Sequence, residues 1–107
     1  MYIDYVKWLS TTAKKYNMVT GLKNALEISE SVLDYVEFAV NEQCHEAEKG
    51  ATWDCPDYRP FTVAQKAVFN IEYHTDKSTY CKDPTSPTVN LSTVLKPMGL
   101  DTLGGQC

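Results

Sequence analysis

Four short polar clusters follow apolar runs in the sequence: Lys23-Asn24, Asn41-Glu42-Gln43, Glu72-Tyr73-His74 and Lys96. The carboxylates of Glu42 and Glu72 can accept from hydroxyl or ammonium groups, amides donate and accept, and lysines only donate. Gathered in one cleft, such groups suit a polyhydroxylated or aminated ligand, which is the chemistry of a sugar. Each also has a plain structural reading. Glu42 can be the ion-pair partner of Lys23, Glu72 a salt-bridge member, Lys23 and Asn24 turn residues, and Tyr73 and His74 loop packing. Trp8 and Trp53 could stack on sugar rings, although Trp8 falls in a helical segment and reads better as helix packing. Asn90-Leu91-Ser92 is an N-glycosylation sequon at the start of a strand.

The elements that must position these clusters follow from periodicity. Tyr2, Tyr5, Val6, Leu9, Ala13 and Tyr16 recur at helical spacing, which predicts an amphipathic helix ending near residue 16, with Asn17 able to take a left-handed stop. Met18–Leu22, Tyr35–Val40, Ala67–Ile71 and Leu91–Leu95 read as strands. Ser29 and Ser31 offer caps for a short helical turn, and Asp57 can cap another that tolerates Pro60 in its first turn. Residues 45–57, and the Pro- and Ser-rich stretch before Asn90, read as loops. Strands alternating with helical segments predict right-handed β/α units on a parallel sheet, and their continuous apolar runs predict cover on both faces. Strand starts about 24 residues apart lie near the ~31 of one unit in an eightfold β/α barrel, so four units amount to half a barrel. In such sheets ligands bind beyond the carboxyl ends of the strands, where all four clusters fall.

At 107 residues with 43% hydrophobic and 22% charged side chains, the chain is one small domain with a core. A net charge of −4 without a basic run argues against nucleic acid as a partner. No apolar stretch reaches the ~18 residues of a membrane span, and Met1-Tyr2-Ile3-Asp4 opens neither a basic nor an apolar leader region, so no signal peptide is expected in this chain. Cys44, Cys55, Cys81 and Cys107 form an even set in polar loop sequence without zinc spacing, which favours disulfides over a metal site. Three connectivities are possible; Cys44 with Cys55 and Cys81 with Cys107 needs the least chain travel.

Gly21-Leu22-Lys23-Asn24, the run Phe38 to Cys44 with its Asn-Glu-Gln-Cys end, the run Lys66 to Tyr73, and Leu91 to Lys96 resemble, in order and spacing, successive blocks of glycoside hydrolase family 114. The resemblance implies an α/β fold, a partial (β/α)8 TIM barrel of about four C-terminal units with parallel strands, so that residues 1–107 form the C-terminal half of the barrel domain. It implies the activity of an endo-α-1,4-polygalactosaminidase or an α-galactosidase-like enzyme, no cofactor and no metal, a galactose- or galactosamine-containing glycan as partner, and secretion. It also implies Glu42 as the catalytic acid/base, with Lys23, Asn24, Asn41, Gln43, Glu72 and Tyr73 as substrate-binding residues.

Three departures from the family pattern accompany this. A Pro-Asp-Asn segment, expected before Met1, does not occur, and glycosidases generally use two carboxyl groups. The loop from Cys44 to Cys55 is longer than the family's, and Gln65 stands where a glycine is usual. A catalytically inactive carbohydrate-binding remnant and a truncated gene product are therefore the alternative readings. If the strands ending at Glu42 and Glu72 are neighbours, these two carboxyl groups could themselves approach glycosidase separation.

Overall fold

The structure is a computed structural model that describes residues 1–45, 54–81 and 89–107. Trp53, Gly50, Pro84 and Pro87 lie outside the described residues. Helix α1 (Tyr2–Lys14) leads into strand β1 (Gly21–Lys23), a 3-10 turn (Leu26–Ile28), α2 (Ser29–Val32) and β2 (Phe38–Glu42). A second 3-10 turn (Cys55–Tyr58) then leads to α3 (Arg59–Val63), β3 (Ala67–Glu72), α4 (Lys77–Tyr80), β4 (Ser92–Leu95) and β5 (Gly105–Gln106). Among the described residues five strands form one sheet in sequence order. The first four are parallel, whereas β5 runs antiparallel to β4. The expected parallel sheet therefore carries one antiparallel edge strand, too short and too rich in glycine to show as an apolar run.

The seam of α1 differs from the expected stripe by a small rotation. Ile3 and Val6 pack against the core and Ser10 is fully buried, its hydroxyl donating to the Tyr35 carbonyl, while Tyr2, Tyr5 and Leu9 face outward. Trp8 is 60% exposed and stacks on Tyr5 at 6.0 Å rather than filling the core. Asn17 takes the left-handed stop at φ 57°. Gln65, in the position where glycine is usual, is left-handed at φ 59°.

Strand ends are set by pairing rather than by the apolar runs. β1 begins only at Gly21, which pairs with Phe38, so Met18 and Val19 lie before it and are exposed. β2 extends through the polar Asn41 and Glu42 because these pair with Asn70 and Ile71. Alternation then sorts the sheet into two faces. Leu22, Ala39 and Val68 pack with Val32, Val36, Tyr58 and Phe61 beneath the helices to form the core. Gly21, Phe38, Val40 and Phe69 occupy the other face, where Phe38 meets Phe69 edge to face at 5.9 Å and Phe69 is 45% exposed. The expectation of cover on both faces is therefore corrected among the described residues: burial alternates along β2 and is complete only on the helix side.

Two disulfides, Cys44–Cys55 and Cys81–Cys107, take the loop-local pairing. The second joins the residue after β5 to the end of α4. No helix among the described residues is long and apolar enough to cross a membrane.

Candidate functional site

Glu42 is the last residue of β2 and lies on the face opposite the helices. Lys23 closes β1 on the same face, and its Nζ lies 2.5 Å from Glu42 Oε1. The Glu42 backbone N–H donates to Asn24 Oδ1 at 3.2 Å, and the Tyr73 hydroxyl, from the residue after β3, hydrogen-bonds the Glu42 carboxylate. The Lys23 hydrogen bond outweighs partial desolvation and, with the Lys23 charge and Tyr73, holds the Glu42 carboxyl below the usual carboxylate range. Asn24, Ala25 and Gln43, just past the strand ends, all adopt left-handed φ values between 53° and 59°. Non-glycine residues pay for this backbone state, and such strain concentrates at functional turns.

A cleft of about 390 Å³ opens here, lined by Asn24, Leu26, Glu27, Asn41, Glu42, Gln43, Asp54 and Tyr58 among others. The larger hollow, about 950 Å³, lies between Leu26–Ser31 and Pro56–Val63. It meets the cleft at Leu26 and Glu27 but contains none of the strand-end polar groups, so the smaller cleft is the candidate site.

The structure divides the expected residues. Lys23, Asn24, Glu42, Gln43 and Tyr73 converge on the cleft or on the Glu42 carboxylate. Asn41 reaches the cleft wall, yet its amide is committed to a buried pair, donating to Asn70 Oδ1 at 3.1 Å and accepting from the Tyr58 hydroxyl at 2.6 Å. Glu72 does not face the cleft. As the last residue of β3 it falls on the helix-side face and is 0% exposed, so it offers no surface to a ligand and is not a second carboxylate beside Glu42. His74 stacks on Tyr80 at 4.1 Å, as loop packing requires, and Lys96 donates to the Thr102 carbonyl at 3.3 Å.

Sequence reasoning missed Asp54, Tyr58 and Glu27. Burial raises the Asp54 carboxyl above its ordinary range, against a lowering hydrogen bond from its own backbone, with Asp57 and Glu72 adding to the rise. The cleft thus holds two carboxyls shifted in opposite directions. Burial, with Asp54, Glu27 and Asp57 nearby, pushes the Tyr58 hydroxyl up to about 12, so it stays protonated and donates to Asn41. The Cys44–Cys55 pairing was the available signal for Asp54, because it brings the residue before Cys55 against the residues after Glu42. Ligand atoms of Cys44, His45, Cys55 and Glu72 lie within 4.8 Å of one another, but the two sulfurs are bonded to each other, leaving only an imidazole and a carboxylate as donors.

The parallel sheet thus gathers an ionised carboxylate, amides and a lysine at its carboxyl end, a set able to bond hydroxyl and ammonium groups on a β/α scaffold. The family model for glycoside-hydrolase family GH114 matches residues 1–107, and the chain belongs to that family. It is similar to the crystal structure of Aspergillus fumigatus Ega3 in complex with galactosamine, at 32% identity and a TM-score of 0.79. The match covers 98% of this chain and 44% of that one, so the fold is part of a (β/α)8 barrel. A search of curated proteins finds no match.

Proposed function

We propose that the chain carries the strand-end site of a secreted glycoside hydrolase that cleaves α-1,4-linked galactosamine polymers, with Glu42 as acid/base. The observation that carries this reading is the Glu42 carboxylate at the carboxyl end of β2, held by Lys23, Asn24 and Tyr73 against an open cleft. Family membership and the galactosamine in the similar structure support the substrate class. An ionised Glu42 is suited to stabilise an oxocarbenium-like transition state or to deprotonate water. It serves as an acid only once the sugar loosens the Lys23 contact, because the ammonium favours the charged form. Asn24 and Gln43 are placed to bond sugar hydroxyls, and Asp54 and Glu27 to accept from a sugar ammonium. Two disulfides accord with an extracellular setting. The test is reducing-end release from an α-1,4-linked galactosamine polymer by the purified chain and by Glu42→Gln. Turnover by the chain that disappears in the variant supports the reading; turnover unchanged in the variant overturns it.

A second reading has its own observation. Glu72 is turned away, so Glu42 is the one expected carboxylate that faces the cleft, and Asp54 joins it from a loop rather than from a strand. A carbohydrate-binding module without turnover fits this arrangement. Oligosaccharide binding by calorimetry, with no release of reducing ends, would favour it.

A further inference from the structure

Glu72 is a full carboxylate with no exposure, and burying such a charge is unfavourable unless its oxygens are hydrogen-bonded. Its bonds are unevenly spread. Oε1 accepts from the His45 backbone N–H at 2.9 Å and from Asn70 Nδ2 at 2.8 Å, and His45 Nδ1 lies 2.8 Å away. Among the described residues Oε2 has no hydrogen-bond partner. Burial raises the Glu72 carboxyl, and the bonds from His45 and Asn70 outweigh it, leaving the group below its ordinary range.

The partners of that one oxygen flank Glu42 on both sides. His45 lies three residues after it. Asn70 takes the Asn41 amide at 3.1 Å, and Asn41 lies one residue before it. Between these grips Gln43 is left-handed and donates its backbone N–H to the Ile71 carbonyl at 2.8 Å. The turn bearing the proposed acid/base is thus tied at both ends to a single oxygen on the neighbouring strand. If core stability were the whole role, an apolar side chain of the same volume would serve as well, without the burial of a charge.

We propose that Glu72 is a positioning residue: through His45 and the Asn70–Asn41 amide pair, its Oε1 fixes the Asn41–His45 turn and so holds the Glu42 carboxylate against Lys23. The catalytic consequence rests on the hydrolase reading, whereas the placement of Glu42 does not.

The idle Oε2 makes the test specific. Glu72→Gln, with its carbonyl oxygen in the place of Oε1, keeps all three interactions, whereas Glu72→Met keeps the volume and accepts none. In the full chain, the Glu42 carboxyl is titrated by NMR, and kcat and KM are measured on an α-1,4-linked galactosamine oligomer. Glu72→Gln is expected to leave the Glu42 titration where wild type has it and to keep kcat within about threefold. Glu72→Met is expected to let the Glu42 titration rise toward the ordinary carboxylate value, with kcat falling on the order of 10²-fold and KM little changed. A folded Glu72→Met with the wild-type Glu42 titration overturns the proposal, as does an equal effect of both variants, which would assign the role to charge. If Glu72→Met does not fold, His45→Ala, which removes the ring and keeps the backbone bond, is titrated instead; an unmoved Glu42 overturns the proposal there too. A wild-type chain without turnover counts against the hydrolase reading alone, because the titration needs no substrate.

Discussion

Lys23 and Glu42 are 19 residues apart in sequence, yet their charged atoms lie 2.5 Å apart at the carboxyl ends of neighbouring parallel strands. Lys23 pairs in register with Val40, and Glu42 stands two residues further along the same face. The long lysine side chain spans that step. One ion pair therefore fixes the side-chain direction at the strand ends and keeps the Glu42 carboxyl ionised.

Removing the lysine should be read in the titration of its partner. In Lys23→Met the cation favouring ionised Glu42 is gone, so the Glu42 carboxyl titrates higher and the acid limb of any pH–rate profile moves to higher pH. An unmoved limb would show that the pair does not set the protonation of Glu42.

Glu42→Gln is expected to keep the fold, because the side chain is partly exposed and the amide oxygen still accepts from Lys23. Activity on galactosamine polymer should fall on the order of 10²–10⁴-fold, the range for losing one positioned general acid or base. Circular dichroism and reducing-end release measured together check this.

Stability should decline in acid. Glu72 and Glu42 are both held below their ordinary values in the fold. Their contribution is present above the unfolded carboxylate value and is lost as pH falls through the lowered folded values. Asp54 has the opposite sign: its carboxyl is raised, so its contribution is present at low pH and is lost as pH rises through its folded value. Urea unfolding between neutral pH and pH 3 should show a net loss of stability on acidification, with a shallower decline in Glu72→Gln.

Opening the Cys81–Cys107 link, which spans 26 residues, should cost about 3.5 kcal/mol by the loop-entropy relation. Cys81→Ser with Cys107→Ser should lower the thermal midpoint and deprotect the Cys107 amide, which donates to the Thr93 carbonyl. The Glu42 titration should remain in place. A lost midpoint with Cys107 still protected would place the stabilisation elsewhere.

Gln65 offers a gain. Its left-handed φ of 59° costs a side-chain-bearing residue roughly 1–2 kcal/mol that glycine avoids. Gln65→Gly should therefore raise the denaturation midpoint by the equivalent of about 1 kcal/mol, after the entropy that glycine adds to the unfolded chain.

The apolar runs made the four parallel strands and their order legible, and the polar clusters behind them marked the carboxyl ends. Strand ends were less legible, because Asn41 and Glu42 belong to β2 by pairing and not by hydropathy. That difference decides the fate of Glu72. Read as a residue past the strand, it joins the cleft; as the last residue of β3 it takes the helix-side face, since one step along a strand reverses the side chain. Asp54 and His45 reach the site through a disulfide and a turn, long-range features that local periodicity does not encode. The rotation of α1 was likewise hidden, because its tyrosines and tryptophan are apolar enough to mimic a buried stripe while Ser10 takes the buried position.

The sheet has two unlike margins. Among the described residues β1 and β5 each have a partner on one side only, but β5 is the two-residue, antiparallel Gly105–Gln106, followed directly by Cys107 of the Cys81–Cys107 disulfide. A margin of free amides and carbonyls recruits another strand, and a molecule with two such margins can propagate into a fibre. Of the two, the two-residue, disulfide-anchored β5 margin is the shorter template, so a joining strand is expected along Gly21–Lys23, beside the Lys23–Glu42 pair.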